Sequence, residues 1–541
     1  MKKSSFIEGT FIATFAIILV KVLGMLYVIP FYAIVGVSGG ALYAYAYNIY
    51  NIFLDISTVG VPIAISKITN EYNTLKMIDA KTRAYKLAIT LMRFASISVF
   101  IILFIFSRNI AETIKGTLEG GNSVENITTA IRFVSLSILV IPYLSVTKGY
   151  LQGHKIINIP SLGNITEQVI RIIVVLLGSF IAVKVLHNDY SIGVNVALLG
   201  AFFGGLASYT YIKIKIKNSN KELGITDKVK KDKITNKEIL KKIISYSVPF
   251  IIINTIASLY SFVDMLLVLR TMQHIGLDTD TVEFIASSIS TWAGKINMIV
   301  ISIAMGMTVS LIPSIVEAYT LKNWKDVNSR INSALKIVLF ASLPIAIGLS
   351  LLSSEVWNVF YGASAIGSTI LKLSVFVAVT LNLYMVTSSV VQGLNRFKVV
   401  YLSAIAGFLT NALLDVPLML LFNKIGIPSY LGALVASITG YLISTTIALV
   451  VLRRKKEVGY METVKTLIKQ LIPLTALIVI VLLLRLIPYN HTRELDVLYI
   501  AFNAIIGGLV YFGISYKIGL VKEVFGQKMM DTIKKKLTFN R

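Results

Sequence analysis

KIKIKNSNKELGITDKVKKDKITNKEILKK, residues 213–242, sets eleven lysines against Glu222, Asp227, Asp232 and Glu238. It interrupts two long apolar blocks of similar layout, and its reading decides the fold. In a soluble chain it would be a basic surface loop. The remainder of the sequence excludes that: mean hydropathy is +0.77, 55% of residues are hydrophobic and 15% are charged, whereas about a quarter of a soluble domain is charged. The chain is therefore polytopic in a membrane, and the run is a cytoplasmic linker between two halves. The net charge of +25 does not point to nucleic acid, because the lysines collect in alternate loops, where they face anionic lipid. The absence of cysteine excludes a disulfide framework, Cys-ligated zinc or iron–sulfur centres and a thiol nucleophile.

Outward from the linker, apolar windows of about 20 residues, enough to cross roughly 30 Å of hydrocarbon, mark the spans. Six precede it, at 10–35, 41–66, 86–107, 127–151, 160–184 and 191–213. Six follow, at 243–269, 285–313, 332–353, 368–391, 398–422 and 428–452, and two more close the chain at 467–488 and 497–518. The expected fold is an all-α polytopic membrane protein of 14 transmembrane helices. Its parts are an N-terminal lobe (1–213), the linker (214–242), a C-terminal lobe (243–452) and a last segment (453–541) with two helices and a basic tail. Lys2 and Lys3 precede the first apolar stretch as in a signal peptide, but no small-residue cleavage site follows, which predicts a retained span. Loop charge predicts sidedness. With the N-terminus inside, the cytoplasmic segments hold Lys67, Lys76, Lys81, Arg83 and Lys86, then Lys155, the linker, Lys322, Lys325 and Arg330, then Arg396, Lys398 and Arg453. Both termini are then cytoplasmic.

The halves carry a faint repeat. Tyr150-Leu-Gln-Gly-His-Lys after span 4 matches Val390-Val-Gln-Gly-Leu-Asn-Arg after span 10, 240 residues on, and Ala64-Ile-Ser-Lys-Ile matches Thr308-Val-Ser-Leu-Ile, 244 residues on. Two blocks of six spans with a cytoplasmic crossover imply a pseudo-twofold axis along the membrane normal and a cavity between the lobes.

Charges within spans are functional candidates because burying them in hydrocarbon is costly. Lys21 and Lys295 lie too deep for an easy reach to water, whereas Arg93, Lys148, Arg171 and Lys372 lie near enough to span ends to snorkel. Span 2 offers a polar, aromatic face with Tyr43, Tyr47, Asn48, Tyr50, Asn51, Asp55 and Ser57. Asn411 and Asp415 share one face of span 11, and Asp264 lies deep in span 7, a set of oxygen ligands suited to a hard cation. No GxxxxGK[ST] loop occurs, so transport would be secondary, driven by an ion gradient or the membrane potential. His187, His274 and His491 are scattered singly in loops, without the spacing of a metal or catalytic centre, which argues against an enzyme. Gly24 and Pro30 make span 1 a candidate hinge.

Glu8-Gly-Thr, Lys21-Val-Leu-Gly-Met-Leu-Tyr, Gly39-Gly-Ala-Leu-Tyr, Tyr47-Asn-Ile-Tyr-Asn-Ile-Phe and Gly60-Val-Pro-Ile-Ala-Ile-Ser-Lys resemble the opening of the MurJ-like (YtgP/SpoVB-type) lipid II flippases. These form one branch of the multidrug/oligosaccharidyl-lipid/polysaccharide (MOP) exporter superfamily. The resemblance returns at Tyr246-Ser-Val-Pro, Val263-Asp-Met and Gln392-Gly-Leu-Asn-Arg-Phe-Lys, so it covers most of the chain. It implies an alternating-access flippase that carries lipid II to the outer leaflet of the cytoplasmic membrane. Alternatives are another undecaprenyl-diphosphate-linked oligosaccharide (a Wzx-like flippase) and a MATE-like cation or drug antiporter. It implies that Lys21 and Lys295 hold the diphosphate; the polar face of span 2, with Asn48, Asn51 and Asp55, and Tyr27 and Arg93 are the candidates around the head group. It also implies a sodium site from Asp264, Asn411, Asp415 and span 12, through Thr439 or Ser437, no other cofactor, and cell-wall synthesis proteins as partners. Family arginines in spans 1 and 2 align with Tyr27 and about Leu54, so this cavity is less basic. Lysine also lacks the bidentate fork of arginine.

Overall fold

The computed structural model describes residues 16, 19–58, 60–217, 232–454 and 458–526. The Glu8-Gly-Thr motif, the middle of the linker, the basic tail beyond residue 526 and the side chains of Ser57 and Pro313 lie outside that description. Among the described residues no strand occurs, and 13 helical runs are long and apolar enough to cross a membrane. The first, Leu19–Thr74, is 56 residues long. As one straight helix it would measure about 84 Å, nearly three times the hydrocarbon thickness. It is broken at Gly36, with φ 68 and ψ −169, a backbone region open in practice only to glycine. The run therefore holds spans 1 and 2, and the break falls in the stretch where the sequence requires the first outer loop. With this division the spans among the described residues number 14, as expected.

The others follow in order: Ile78–Lys115, Val124–Gly153, Asn158–Val185, Tyr190–Lys217, Asn236–His274, Thr279–Thr308, Trp324–Leu351, Ala365–Gly393, Phe397–Lys424, Leu431–Arg453, Met461–Leu484 and Arg493–Lys517. Several exceed their apolar windows because capped, charged turns extend them into water. Span 7 starts on a capping box between Thr235 and Glu238, and span 3 on an Asp79–Arg83 pair at 2.7 Å. Span 4 passes through a 3-10 turn at Leu136–Leu139 before Pro142, and span 8 through a π turn at Ser288–Trp292. A π turn marks an inserted residue and is frequent at functional sites. Short helices at Ser353–Tyr361 and Leu520–Phe525 add to the expected set.

The chain divides into two compact units, Met1–Trp292 and Ala293–Arg541. The boundary thus lies inside span 8, whereas the sequence divides its lobes at the linker. Polar ties draw span 7 and the start of span 8 into the first unit. Arg83 donates to the carbonyls of Ile234 and Asp232, Lys242 pairs with Glu71 at 2.5 Å, and Arg270 donates to the Thr113 carbonyl at 2.7 Å. Between these ends an apolar core joins spans 2, 3, 4 and 7 through Ile65, Ile68, Ala84, Ala88, Val146 and Ile243. In the second unit, Gln470 donates to the Leu339 carbonyl and to Tyr511, whose hydroxyl donates to the Phe340 carbonyl, so spans 13 and 14 are pinned to span 9.

The repeat is visible as backbone. After span 4, Lys155 (φ 62) donates to Gln152 O at 2.9 Å; after span 10, Asn395 (φ 57) donates to Gln392 O at 2.8 Å. The turns after spans 2 and 8 correspond likewise, with Lys76 (φ 57) and Lys322 (φ 54). Spans 5 and 6 are joined by Ser208 Oγ donating to Gly163 O at 2.7 Å, and spans 11 and 12 by Ser444 Oγ donating to Ser403 O at 2.8 Å. Gly163 and Ser403 are 240 apart, the offset of the Gln-Gly motif.

Candidate functional site

In the first unit, Tyr43, Tyr47 and Tyr50 recur at helical spacing along one face of span 2. Tyr43 stacks on Tyr47 at 5.4 Å and on Trp292 at 5.8 Å, and its hydroxyl lies 3.4 Å from that of Tyr27. Tyr27, where the resemblance would place a cation, is buried and makes a hydroxyl–hydroxyl contact instead. Asn48, 3% exposed, turns to a neighbouring face and donates to Thr291 Oγ1 at 3.0 Å and Ser290 Oγ at 3.3 Å, both in the π turn. It is thereby a tie between spans 2 and 8. Asp55 is half-buried and accepts a hydrogen bond from Ser258 of span 7, and Asn51 is half-buried one turn before it. Lys21 is half-buried on span 1, one turn from Gly24, where a Cβ would lie 3.3 Å from Gln168 Nε2 of span 5. Arg93 is exposed on span 3 beside Phe94, itself 69% exposed.

Two cations that the sequence treats as snorkelling are held inside. Glu167 of span 5 accepts from Lys148 Nζ at 2.9 Å and from Arg171 Nη2 at 2.8 Å, with side-chain exposures of 18, 14 and 22% respectively. Arg171 is within electrostatic reach of Tyr43, Tyr47 and Tyr50. Glu167 is absent from the sequence candidates, although an acid four residues before an arginine inside a span is a readable pairing signal.

A second buried carboxylate, also missed, lies where the loop after span 3 meets span 8. Glu283, 2% exposed, accepts from the Asn122 backbone N–H at 2.9 Å and from Asn122 Nδ2 at 2.7 Å. Asn122 Nδ2 also reaches Ser38 O at 3.0 Å, and Tyr190 donates to Asn122 Oδ1 at 3.3 Å.

Of the cation candidates, Asp264 is 7% exposed in the first unit, while Asn411 and Asp415, both 0% exposed, belong to the second. Spans 11 and 12 run antiparallel in close contact: a Cβ at Gly432 would lie 2.4 Å from Met419 N, and Ser444 meets Ser403. That register brings both Ser437, 3% exposed, and Thr439 level with Asn411, and the Thr439 hydroxyl donates to Val435 O within its own helix. Among the described residues no group of three or more His, Cys, Asp or Glu is placed to hold a metal ion. Lys295 is half-buried, three residues after the π turn and two before Asn297, which donates to Ser374 of span 10. An open apolar groove of about 670 Å³ lies on spans 13 and 14, lined by Leu471, Thr475, Val479, Leu483 and Val510.

Comparison with known proteins agrees with this architecture. Residues 6–277 match the family described as "Polysaccharide biosynthesis protein". The lipid II flippase MurJ of Bacillus subtilis (strain 168) is 28% identical, over 98% of this chain and 99% of that protein. Stage V sporulation protein B of the same organism is 24% identical over 82% of this chain and 83% of its own length. Among solved structures, a lipid II flippase MurJ in an inward closed conformation superposes with a TM-score of 0.63 at 17% identity, covering 94% of this chain and 99% of that one. An inward-facing MATE family multidrug transporter of the MOP superfamily gives 0.59 at 16% identity, over 80% and 96%. At these identities the structural likeness is one of fold.

Proposed function

The chain belongs to the polysaccharide biosynthesis protein family, and from that premise we propose that it is a flippase moving lipid II from the inner to the outer leaflet of the cytoplasmic membrane. The end-to-end match with a lipid II flippase carries this reading. Chemistry supports it. The diphosphate-sugar head cannot cross hydrocarbon unaided, and fixed cations lower its desolvation cost. Lys21 and Lys295 supply charge to the diphosphate, and Asn51, Asp55 and the tyrosines of span 2 contact the sugars. The groove on spans 13 and 14 takes the polyprenyl tail. Arg93 acts at the membrane surface, and Tyr27 and Asn48 shape the site without charge.

Both termini lie in the cytoplasm, and the halves work as pseudo-equivalent lobes in alternating access. A sodium ion bound through Asp264, Asn411, Asp415 and span 12, by Thr439 or Ser437, or the membrane potential, drives the return step. Cell-wall synthesis proteins on the outer face receive the product. The uncharged Tyr27 favours, as a second reading, a different undecaprenyl-diphosphate-linked saccharide, since one fewer fixed cation faces the head group.

The test is transbilayer movement of labelled lipid II in vesicles holding the purified protein, with and without a sodium gradient and a membrane potential. Wild type moves the lipid, and Lys21→Ala and Lys295→Ala each slow it about tenfold or more, as expected for loss of a charge contact to phosphate. Absence of movement by wild type under every driving force sinks the lipid II reading.

A further inference from the structure

Lys148, Glu167 and Arg171 hold three charges inside the first unit, on spans 4 and 5 and not in the loops that collect the others. With all ionised the cluster carries one positive charge in excess. Both long cations converge on one carboxylate, at 2.9 and 2.8 Å, and Arg171 Nε is buried with no hydrogen-bond partner in the structure. A buried charge cluster serving stability alone tends to be balanced and saturated. This one is neither, and its partial exposure of 14 to 22% leaves it open to a ligand. Its surroundings suit an anion with a polar head: Gln168, next to Glu167 in the chain, meets span 1 one turn from Lys21.

The repeat sharpens the contrast. At the offset of 240 fixed by Gly163 and Ser403, the counterpart of Arg171 is Asn411 and that of Glu167 is Gly407. The first half thus bears a built-in guanidinium where the second half bears a neutral amide.

We infer that Lys148 and Arg171 form a second phosphate-binding subsite, with Glu167 as a resident counter-ion that the phosphate of a lipid-linked diphosphate displaces. The inference deepens the flippase reading and rests on it for the choice of ligand. No covalent step is involved. Phosphate oxygens replace the Glu167 oxygens on the two cations, and Arg171 offers its fork to a bidentate contact. When the ligand leaves, Glu167 returns and spares the membrane two mutually repelling charges. Glu167 therefore sets release, and the cations set capture.

Binding of farnesyl diphosphate, farnesyl monophosphate and inorganic pyrophosphate to the purified full-length protein in detergent, by calorimetry, tests this. Wild type prefers farnesyl diphosphate to the monophosphate. Lys148→Met and Arg171→Met weaken diphosphate binding about tenfold each, and Glu167→Gln tightens it several-fold because the competitor is gone. Unchanged affinity in the two cation variants, or weaker binding by Glu167→Gln, overturns the subsite. Equal affinity for pyrophosphate and farnesyl diphosphate overturns the lipid-linked ligand in favour of free phosphate. If the methionine variants do not fold, Arg171→Lys, which keeps the charge and loses the fork, decides by the same criteria. Wild type that binds diphosphate through these residues but does not move lipid II leaves the subsite standing without the flippase reading. Lipid II movement with triad variants that bind as wild type does the reverse.

Discussion

At the scale of single residues, position along a span does not decide what a charge does. Arg93, Lys148 and Arg171 look alike in sequence, each near enough to a span end to snorkel. Arg93 is exposed, while the other two are drawn inward by Glu167. The difference is a partner on a neighbouring turn or span, which no single apolar window reveals. Glu283 is the matching case among acids: it is buried because Asn122 presents two N–H donors to it. Glu283→Ala would strand both donors and lower stability by about 1–3 kcal/mol. Asn122→Ala would cost a similar amount, and the double variant little more than either. Unfolding midpoints in detergent check this; additive losses, within about 0.5 kcal/mol, would mean that the two side chains act independently.

At the scale of elements, windowing finds the spans because hydrocarbon thickness imposes a minimum apolar length, and it misplaces their ends because capped polar turns carry helices on into water. The Leu19–Thr74 run shows where windowing needs local chemistry. Without the left-handed backbone at Gly36, spans 1 and 2 would be one helix too long for the bilayer. A Cβ at Gly36 meets no atom within 4 Å, so backbone conformation alone resists substitution. Gly36→Ala is expected to cost about 1–3 kcal/mol through strain. Gly508→Ala, where a Cβ also has open space and the backbone is helical, should be neutral or slightly stabilising. Thermal unfolding of the two variants side by side is the measurement, and equal midpoints would remove the special role of Gly36.

For the whole molecule, sidedness follows from charge counted over loops. The chain has no cysteine, so single cysteines report cleanly. Lys424→Cys, exposed at the end of span 11, is expected to react with a membrane-impermeant maleimide on intact cells. Lys325→Cys, exposed at the start of span 9, is expected to react only after permeabilisation. The opposite pattern would invert the topology and with it the proposed direction of transport. The internal repeat was half legible. The Gln-Gly motifs gave the offset, and the left-handed turns at Lys155 and Asn395 with the serine ties of spans 6 and 12 extended it into backbone geometry.

The sequence by itself determined the membrane class, the number of spans, their expected sidedness and the repeat, because each depends on apolar length or charge summed along the chain. The tertiary structure alone decided which polar side chains meet. It drew Lys148 and Arg171 onto Glu167, closed Asn122 over Glu283 and set the unit boundary inside span 8. The physical reason is rotational. A span apolar on most of its faces can turn about its axis at little hydrophobic cost, so only contact with neighbouring helices selects which of its few polar groups face one another.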